Sequence, residues 1–131
     1  MRILLAEDDF VTRKFMMNFL SKYGDCDVTV DGMEAVDAFL LAHEEGEPYD
    51  LVCLDIMMPV MDGYQALIGI RNIEKEREIP KDKAVKVIMA TALNEEKNVK
   101  TAFDLGCTIY SGKPINQDRF EQALKKLGLI D

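Results

Sequence analysis

The sequence predicts an α/β fold in which one parallel β-sheet is covered by helices on both faces. Short apolar segments alternate five times with longer amphipathic segments, which is the pattern of successive β-α units. The segment at residues 51–54 is apolar at every position, as expected of a strand that is buried on both faces. The 131 residues are enough to form one core, so we expect a single doubly wound domain over residues 1–131.

The first part of the chain contains two of these units. Residues 3–6 are apolar and predict the first strand, which acidic residues terminate. Apolar residues then recur on one helical face as far as position 23, and Gly24 predicts the end of that helix. A second strand is predicted at residues 28–30. The capping-box spacing of residues 31–34 predicts the start of the second helix.

The middle of the chain contains the third unit. The apolar strand is followed by a helix that begins near Asp62, because Asp62 and Gln65 again have capping-box spacing. A charged segment with one proline follows at residues 74–83. Such a segment is typical of a solvated helix end and loop, and that is what we expect here.

Two further units complete the pattern. Strands are predicted at residues 85–90 and 108–110, which are apolar and rich in β-branched and aromatic residues. Asn94 is expected to cap the fourth helix. Gly106 and Gly128 are expected to end the fourth and fifth helices.

Composition excludes several classes of protein. The 24 acidic residues outnumber the 16 basic ones, and a net charge of −8 argues against direct binding of nucleic acid. No apolar run approaches the ~20 residues that span a bilayer, and the early acidic residues do not fit a signal peptide. We therefore expect a cytoplasmic protein without membrane contact. Three cysteines without a CxxC pair, and His43 as the only histidine, cannot form a Cys/His zinc site.

Acidic side chains follow two of the predicted strands. Glu7 and Asp8 end the first strand and Asp55 ends the third. In parallel α/β folds, ligands bind outside the carboxyl ends of the strands, so these carboxylates would converge if the two strands are neighbours. Asp8 could instead cap a helix, whereas Asp55, between two apolar segments, fits that role poorly. Converging carboxylates repel one another unless a cation lies among them, which predicts a Mg²⁺ site.

Thr91 and Lys113 follow the fourth and fifth strands at the same edge of the sheet. The threonine hydroxyl can donate to a phosphoryl oxygen, and the lysine can supply a point positive charge. Either residue alone is an ordinary strand-end or surface residue. The occurrence of the acidic residues, the threonine and the lysine together at these strand ends is much less expected by chance than any one of them alone. Pro114 makes the preceding peptide bond a candidate cis bond.

Residues 54–63, LDIMMPVMDG, resemble the LDxxMPxMDG signature of the response-regulator receiver domains of two-component signalling. The other marks of that family are present in order, as Glu7-Asp8, Thr91-Ala92 and Lys113-Pro114. The resemblance extends from residue 3 to about residue 127. It implies a CheY-like, flavodoxin-like (βα)5 fold whose five parallel strands lie in the order 2-1-3-4-5.

The resemblance also implies the chemistry. Asp55 would be the phosphoacceptor, phosphorylated by a phosphohistidine of a sensor histidine kinase or a histidine phosphotransfer protein. Asp8, Asp55 and the backbone carbonyl of Met57 would ligate Mg²⁺, or Mn²⁺ in its place, and Glu7 would act through a bound water. The chain would then be a regulatory phosphoacceptor and not an enzyme, since it assists only its own phosphorylation and slow dephosphorylation.

Three residues would carry the response. Thr91 would bond the new phosphoryl group, Lys113 would pair with another of its oxygens, and Tyr110 would turn inward as Thr91 moves. The surface around the fourth helix, fifth strand and fifth helix would change and control binding of a downstream protein target. The chain would be a monomer or a phosphorylation-dependent dimer. The positions of its ends favour a stand-alone regulator over a receiver cut from a longer protein.

The sequence departs from the family pattern at two positions, and it argues against two rival functions. Met57 and Leu93 occupy positions that vary in the family, and because both are apolar we expect slow self-dephosphorylation. A Mg²⁺-dependent aspartyl phosphatase would need an acid at position 57, where methionine stands. An FMN-binding module would need a Ser/Thr/Gly-rich phosphate loop after the first strand, where residues 7–9 are acidic.

Overall fold

The computed structural model describes residues 1–93 and 95–131, and within them five strands alternate with five α-helices as the sequence predicts. The strands are β1 Arg2–Ala6, β2 Asp25–Thr29, β3 Leu51–Leu54, β4 Lys86–Thr91 and β5 Ile109–Gly112. The helices are α1 Phe10–Leu20, α2 Gly32–Glu44, α3 Gly63–Glu76, α4 Glu96–Asp104 and α5 Gln117–Lys126. In the part of the chain so described, no helix combines the length and the apolar character needed to cross a membrane.

All neighbouring strands are parallel, in the order β2-β1-β3-β4-β5, which confirms the expected flavodoxin-like topology. The order reverses at β1, so β1 and β3 are neighbours. Ala6 at the end of β1 pairs with Thr29 on one side and with Leu54 on the other. The residues that follow β1 and β3 therefore emerge together at the topological switch point, where ligands bind in folds of this kind.

The core has two apolar layers, one on each face of the sheet. Side chains of a strand alternate between the faces, so Leu4 of β1 points into one layer and Leu5 into the other. Buried residues of α2, α3 and α4 fill the first layer, among them Phe39, Leu67, Ile70 and Ala102. Buried residues of α1 and α5 fill the second, among them Met16, Phe19, Phe120 and Leu124.

Two helix ends differ from the prediction. α1 ends at Leu20, four positions before the predicted Gly24. Tyr23 nevertheless packs edge-on against Phe19, with ring centroids 5.6 Å apart, from the turn that follows the helix. The apolar pattern therefore correctly indicated burial but not helical conformation. The predicted cap Asn94 lies outside the described residues, and Glu95 is the N-cap of α4, without a side-chain capping bond.

Glu74 corrects the expectation that the charged segment 74–83 is solvated throughout. Its side chain is buried, and it pairs with Arg71 at 2.6 Å and accepts a hydrogen bond from the Val85 N–H at 2.7 Å. Arg71 also donates to the carbonyl of Gly106 at 2.7 Å. This pair of buried Glu74 and half-buried Arg71 joins α3 to the start of β4 and to the turn before β5.

Candidate functional site

Three carboxylates meet at the switch point. One oxygen each of Glu7, Asp8 and Asp55 lies within 4.8 Å of the other two. The backbone N–H of Asp55 donates to the carbonyl of Ala6, and that of Glu7 donates to the carbonyl of Thr29, both at 3.1 Å, so the sheet itself fixes both positions. Glu7 and Asp55 are buried, whereas Asp8 is exposed at the mouth of the cluster.

Lys113 supplies a positive charge to this cluster. Its ammonium lies 2.8 Å from Oδ2 of Asp55 and 2.5 Å from Oε1 of Glu7. The backbone N–H of Lys113 donates to the carbonyl of Thr91 at 2.9 Å, and the peptide bond to Pro114 is cis, as the sequence suggested.

The surroundings shift the pKa values of two of these groups. Burial alone would lower the pKa of the Lys113 ammonium, but its hydrogen bonds to Asp55 and Glu7 outweigh burial and raise it above its ordinary value. Burial raises the pKa of Glu7, although the bond from Lys113 opposes that shift. The lysine is therefore charged at neutral pH.

The loop after Asp55 is fixed by close backbone contacts. Oδ1 of Asp55 accepts a hydrogen bond from the N–H of Met57 at 3.3 Å. At the start of α3, a Cβ on Gly63 would lie 2.1 Å from the backbone oxygen of Asp55, so only glycine allows this approach. The predicted capping box of Asp62 and Gln65 is present and fixes the first turn of α3. No described residue donates a hydrogen bond to the carbonyl of Met57, whose side chain is exposed.

Thr91 and Tyr110 lie on the neighbouring strands. Thr91 is fully buried at the end of β4, and its hydroxyl accepts a hydrogen bond from the N–H of Leu93 at 3.3 Å, which leaves its own proton to donate elsewhere. Tyr110 is half-buried, and its hydroxyl donates to the carbonyl of Leu93. Burial raises the pKa of Tyr110 to about 12, so this phenol is a neutral donor at physiological pH.

Arg13 also contacts this site, although its position in the sequence did not indicate it. Its Nη1 donates to the carbonyls of Glu7 at 3.0 Å and of Asp8 at 3.2 Å. Asp9, in contrast, is the N-cap of α1, and its Oδ2 accepts a hydrogen bond from the N–H of Thr12 at 2.9 Å. A basic residue in the first turns of an amphipathic helix is usually solvated, so no sequence pattern indicates this contact.

The donor set fits a hard divalent cation. Three carboxylates share one ammonium, so the site keeps an excess of negative charge. Among the described residues Asp8 takes part in no ion pair, and its carboxylate is therefore available as a ligand. Oxygen ligands with room for water are the coordination that Mg²⁺ prefers. The same charge would repel the phosphate of a flavin.

The fold and the site together define the class of two-component signalling domains, and the comparisons with known proteins agree. The model of the family described as "Response regulator receiver domain" matches residues 3–125. The chain therefore belongs to the response regulator receiver domain family.

A curated relative shows the same kinship at the level of sequence. The probable transcriptional regulator ycf29 of Porphyra purpurea is 32% identical over 126 residues, which cover 95% of this chain and 55% of that protein. The chain thus spans about half of the length of this relative, and far less of the hybrid histidine kinases that it also matches.

Solved structures share the fold. The CheX–CheY–BeF₃–Mg²⁺ complex of Borrelia burgdorferi contains a chain with a TM-score of 0.82 and 28% identity, covering 97% of this chain and 88% of that one. A second match is the co-crystal structure, from Saccharomyces cerevisiae, of the histidine phosphotransfer protein Ypd1 with the receiver domain of the response regulator Ssk1. Its TM-score is 0.82 and its sequence identity 26%, and the match covers 98% of this chain and 88% of that one.

Proposed function

We propose that residues 1–131 form a phosphorylation-activated switch in which Asp55 accepts a phosphoryl group from a phosphohistidine. The observation that carries this proposal is the environment of Asp55, a buried carboxylate held by Lys113 beside two further carboxylates at the switch point of the sheet. Phosphoryl transfer requires an aligned nucleophile and positive charge around the transferred oxygens, and little covalent chemistry from the protein.

In the proposed step, a carboxylate oxygen of Asp55 attacks phosphorus. The P–N bond of the phosphohistidine breaks, and its electron pair returns to the imidazole of the donor protein. Lys113 already contacts Oδ2 of Asp55 and would pair with an oxygen of the new phosphoryl group. The hydroxyl proton of Thr91 would be donated to another of these oxygens.

The cation of this site would be Mg²⁺, with Mn²⁺ as a substitute. Asp8, Asp55 and the carbonyl of Met57 would hold it, and Glu7 would act through a water. When bound, it would supply positive charge to the phosphoryl oxygens and offset the mutual repulsion of the carboxylates. Support comes from the carboxylate cluster and from the relatives whose structures contain Mg²⁺ and BeF₃.

The output would be a changed surface. Phosphorylation adds about −1.5 to −2 charges at one point. Thr91 would move toward that charge, and Tyr110, whose hydroxyl contacts the carbonyl of Leu93, would turn inward as Thr91 moves. The surface of α4, β5 and α5 would then favour a downstream protein, or a second copy of the chain. The phosphoryl donor would be a histidine kinase or a phosphotransfer protein of the kind crystallised with a similar receiver domain.

The proposal is tested by intact-protein mass spectrometry after incubation with Mg²⁺ and acetyl phosphate. We expect the mass of one added phosphoryl group, and no addition when Mg²⁺ is chelated. Asp55→Asn should abolish the addition. Asp9→Asn is the matched control, because this nearby exposed aspartate caps α1 and should leave phosphorylation intact. Addition to the Asp55→Asn protein, or none to the unmodified chain, would refute the assignment.

A further inference from the structure

Arg13 connects α1 to the loop that carries two of the three clustered carboxylates. Its Nη1 donates both to the carbonyl of Glu7 and to the carbonyl of Asp8, at 3.0 and 3.2 Å. The guanidinium carbon also lies 5.5 Å from the centroid of the Phe10 ring, so it is held from two sides. Arg13 is half-buried, unlike the neighbouring Lys14, which is exposed.

The two carbonyls that Arg13 binds flank the residue whose orientation the site depends on. The carbonyl of Glu7 belongs to the peptide group before Asp8, and the carbonyl of Asp8 belongs to the peptide group after it. Fixing both peptide groups fixes the direction in which the Asp8 side chain leaves the backbone. Glu7 needs no such help, because Lys113 holds its carboxylate directly.

We propose that Arg13 is a positioning residue for the cation site, holding the backbone on both sides of Asp8 so that its carboxylate faces those of Glu7 and Asp55. This inference rests on the proposed function, since it assigns a role toward the Mg²⁺ ligands. Among the described residues, Arg13 donates hydrogen bonds to backbone carbonyls and to no carboxylate, so it aligns the carboxylate ligand without competing with the cation for its oxygens. A planar guanidinium is suited to this role because its donors have a fixed geometry.

Electrostatics and positioning make opposite predictions for removal of Arg13. The guanidinium is a positive charge next to a cation site, so charge alone predicts that its loss strengthens Mg²⁺ binding. Loss of the two hydrogen bonds predicts weaker binding, because Asp8 then samples orientations that do not face Asp55. Residues that orient metal ligands typically contribute 10- to 100-fold to metal affinity. We therefore expect positioning to dominate.

The experiment compares Mn²⁺ affinity, measured by electron paramagnetic resonance with competition by Mg²⁺, in three variants of the full chain. Arg13→Met removes the bonds and the charge, and Arg13→Lys keeps the charge but has no planar fork. Lys14→Met is the matched control, because it removes the same charge one position away without touching the loop. We expect the Mn²⁺ dissociation constant to rise about tenfold in Arg13→Met, to rise less in Arg13→Lys, and not to rise in Lys14→Met.

The Mg²⁺ dependence of phosphorylation by acetyl phosphate is a second measurement. It distinguishes positioning of the cation ligand from a purely structural role of Arg13. In Arg13→Met the Mg²⁺ concentration for half-maximal rate should rise about tenfold, while the rate at saturating Mg²⁺ stays close to that of the unmodified chain. Equal or tighter Mn²⁺ binding by Arg13→Met would overturn the inference. If that variant does not fold, unchanged affinity in Arg13→Lys would overturn it. Absence of Mn²⁺ binding by the unmodified chain would refute the proposed cation site as well.

Discussion

Asp8 and Asp9 are adjacent and chemically identical, yet the structure uses them differently. Asp9 caps α1, and its bonds from the hydroxyl and N–H of Thr12 lower the pKa of its carboxyl. Asp8 turns the other way and joins the cluster with Glu7 and Asp55. The position of Asp8 after β1 predicts the cluster, although the sequence also allows Asp8 to cap a helix. In the structure that cap is Asp9.

The side chain at position 57 is expected to affect the lifetime of the phosphorylated state. Its exposed thioether lines one surface depression together with Leu93, and a thioether is too weak an acceptor to orient water. Met57→Asn places an amide there, and one added hydrogen bond of about 1 kcal/mol corresponds to roughly fivefold faster hydrolysis. The decay of the phosphorylated mass after removal of the phosphodonor measures this rate. Met57→Leu should decay like the unmodified chain, and an unchanged lifetime in Met57→Asn would contradict the prediction.

Glu74 shows where reasoning from residue type fails. The segment 74–83 is dominated by charge, and charged segments are usually solvated. Its first residue is buried because Arg71, one helical turn earlier, neutralises it and because the N–H of Val85 needs an acceptor. The spacing of Arg71 and Glu74 is visible in the sequence, but their burial depends on the position of β4 relative to α3.

The start of α3 packs closely against Asp55, and this contact yields a stability prediction. A Cβ at Gly63 would meet the backbone oxygen of Asp55 at 2.1 Å, and backbone cannot move aside as a side chain can. We expect Gly63→Ala to lower the free energy of unfolding by about 1–3 kcal/mol, the usual cost of overpacking. Chemical denaturation measures this change.

Gly69→Ala is the control, because it makes the same substitution later in α3. Its Cβ would lie 3.0 Å from a methyl group of Val36, which a small side-chain shift relieves, and alanine favours the helix by about 1 kcal/mol. Equal losses of stability in the two variants would show that the contact with Asp55 is not the cause.

The elements themselves were largely predictable, and their ends were not. Each strand and helix follows from a run of apolar residues or an amphipathic period, and capping residues located the starts of α2 and α3. The end of α1 was placed too late because Tyr23 packs on the core from a turn. Contacts between elements, such as the bond of the Tyr64 hydroxyl to the carbonyl of Asn98 in α4, require the packed structure.

The location of the site was predictable because of the topology. Parallel strands end at one edge, so residues that follow β1, β3, β4 and β5 had to lie near one another. Alternation alone left the strand order open, and the resemblance supplied it. The ion pairs of Lys113 and the backbone contacts of Arg13 depend on side-chain paths that no spacing rule gives.

The clustering of carboxylates should also make the stability of the whole fold depend on Mg²⁺. Three carboxylates share the charge of one lysine, so their repulsion opposes folding when no cation is bound. A ligand that binds only the folded state stabilises it by about 2.7 kcal/mol at 100 times its dissociation constant, so Mg²⁺ should raise the thermal unfolding midpoint in proportion to the logarithm of its concentration. Differential scanning calorimetry with and without Mg²⁺ measures this shift.

Asp8→Asn separates the repulsion among the carboxylates from the stabilisation by bound Mg²⁺, because Asp8 is the clustered carboxylate that no described ion pair neutralises. We expect this variant to unfold at a higher temperature than the unmodified chain without Mg²⁺, since one repulsive charge is gone. Most of the Mg²⁺-dependent rise should also disappear, since a ligand is gone. Asp37→Asn, on the exposed face of α2, removes the same charge far from the cluster and should keep the full rise. A full Mg²⁺ response in Asp8→Asn would show that the cation binds elsewhere on the molecule.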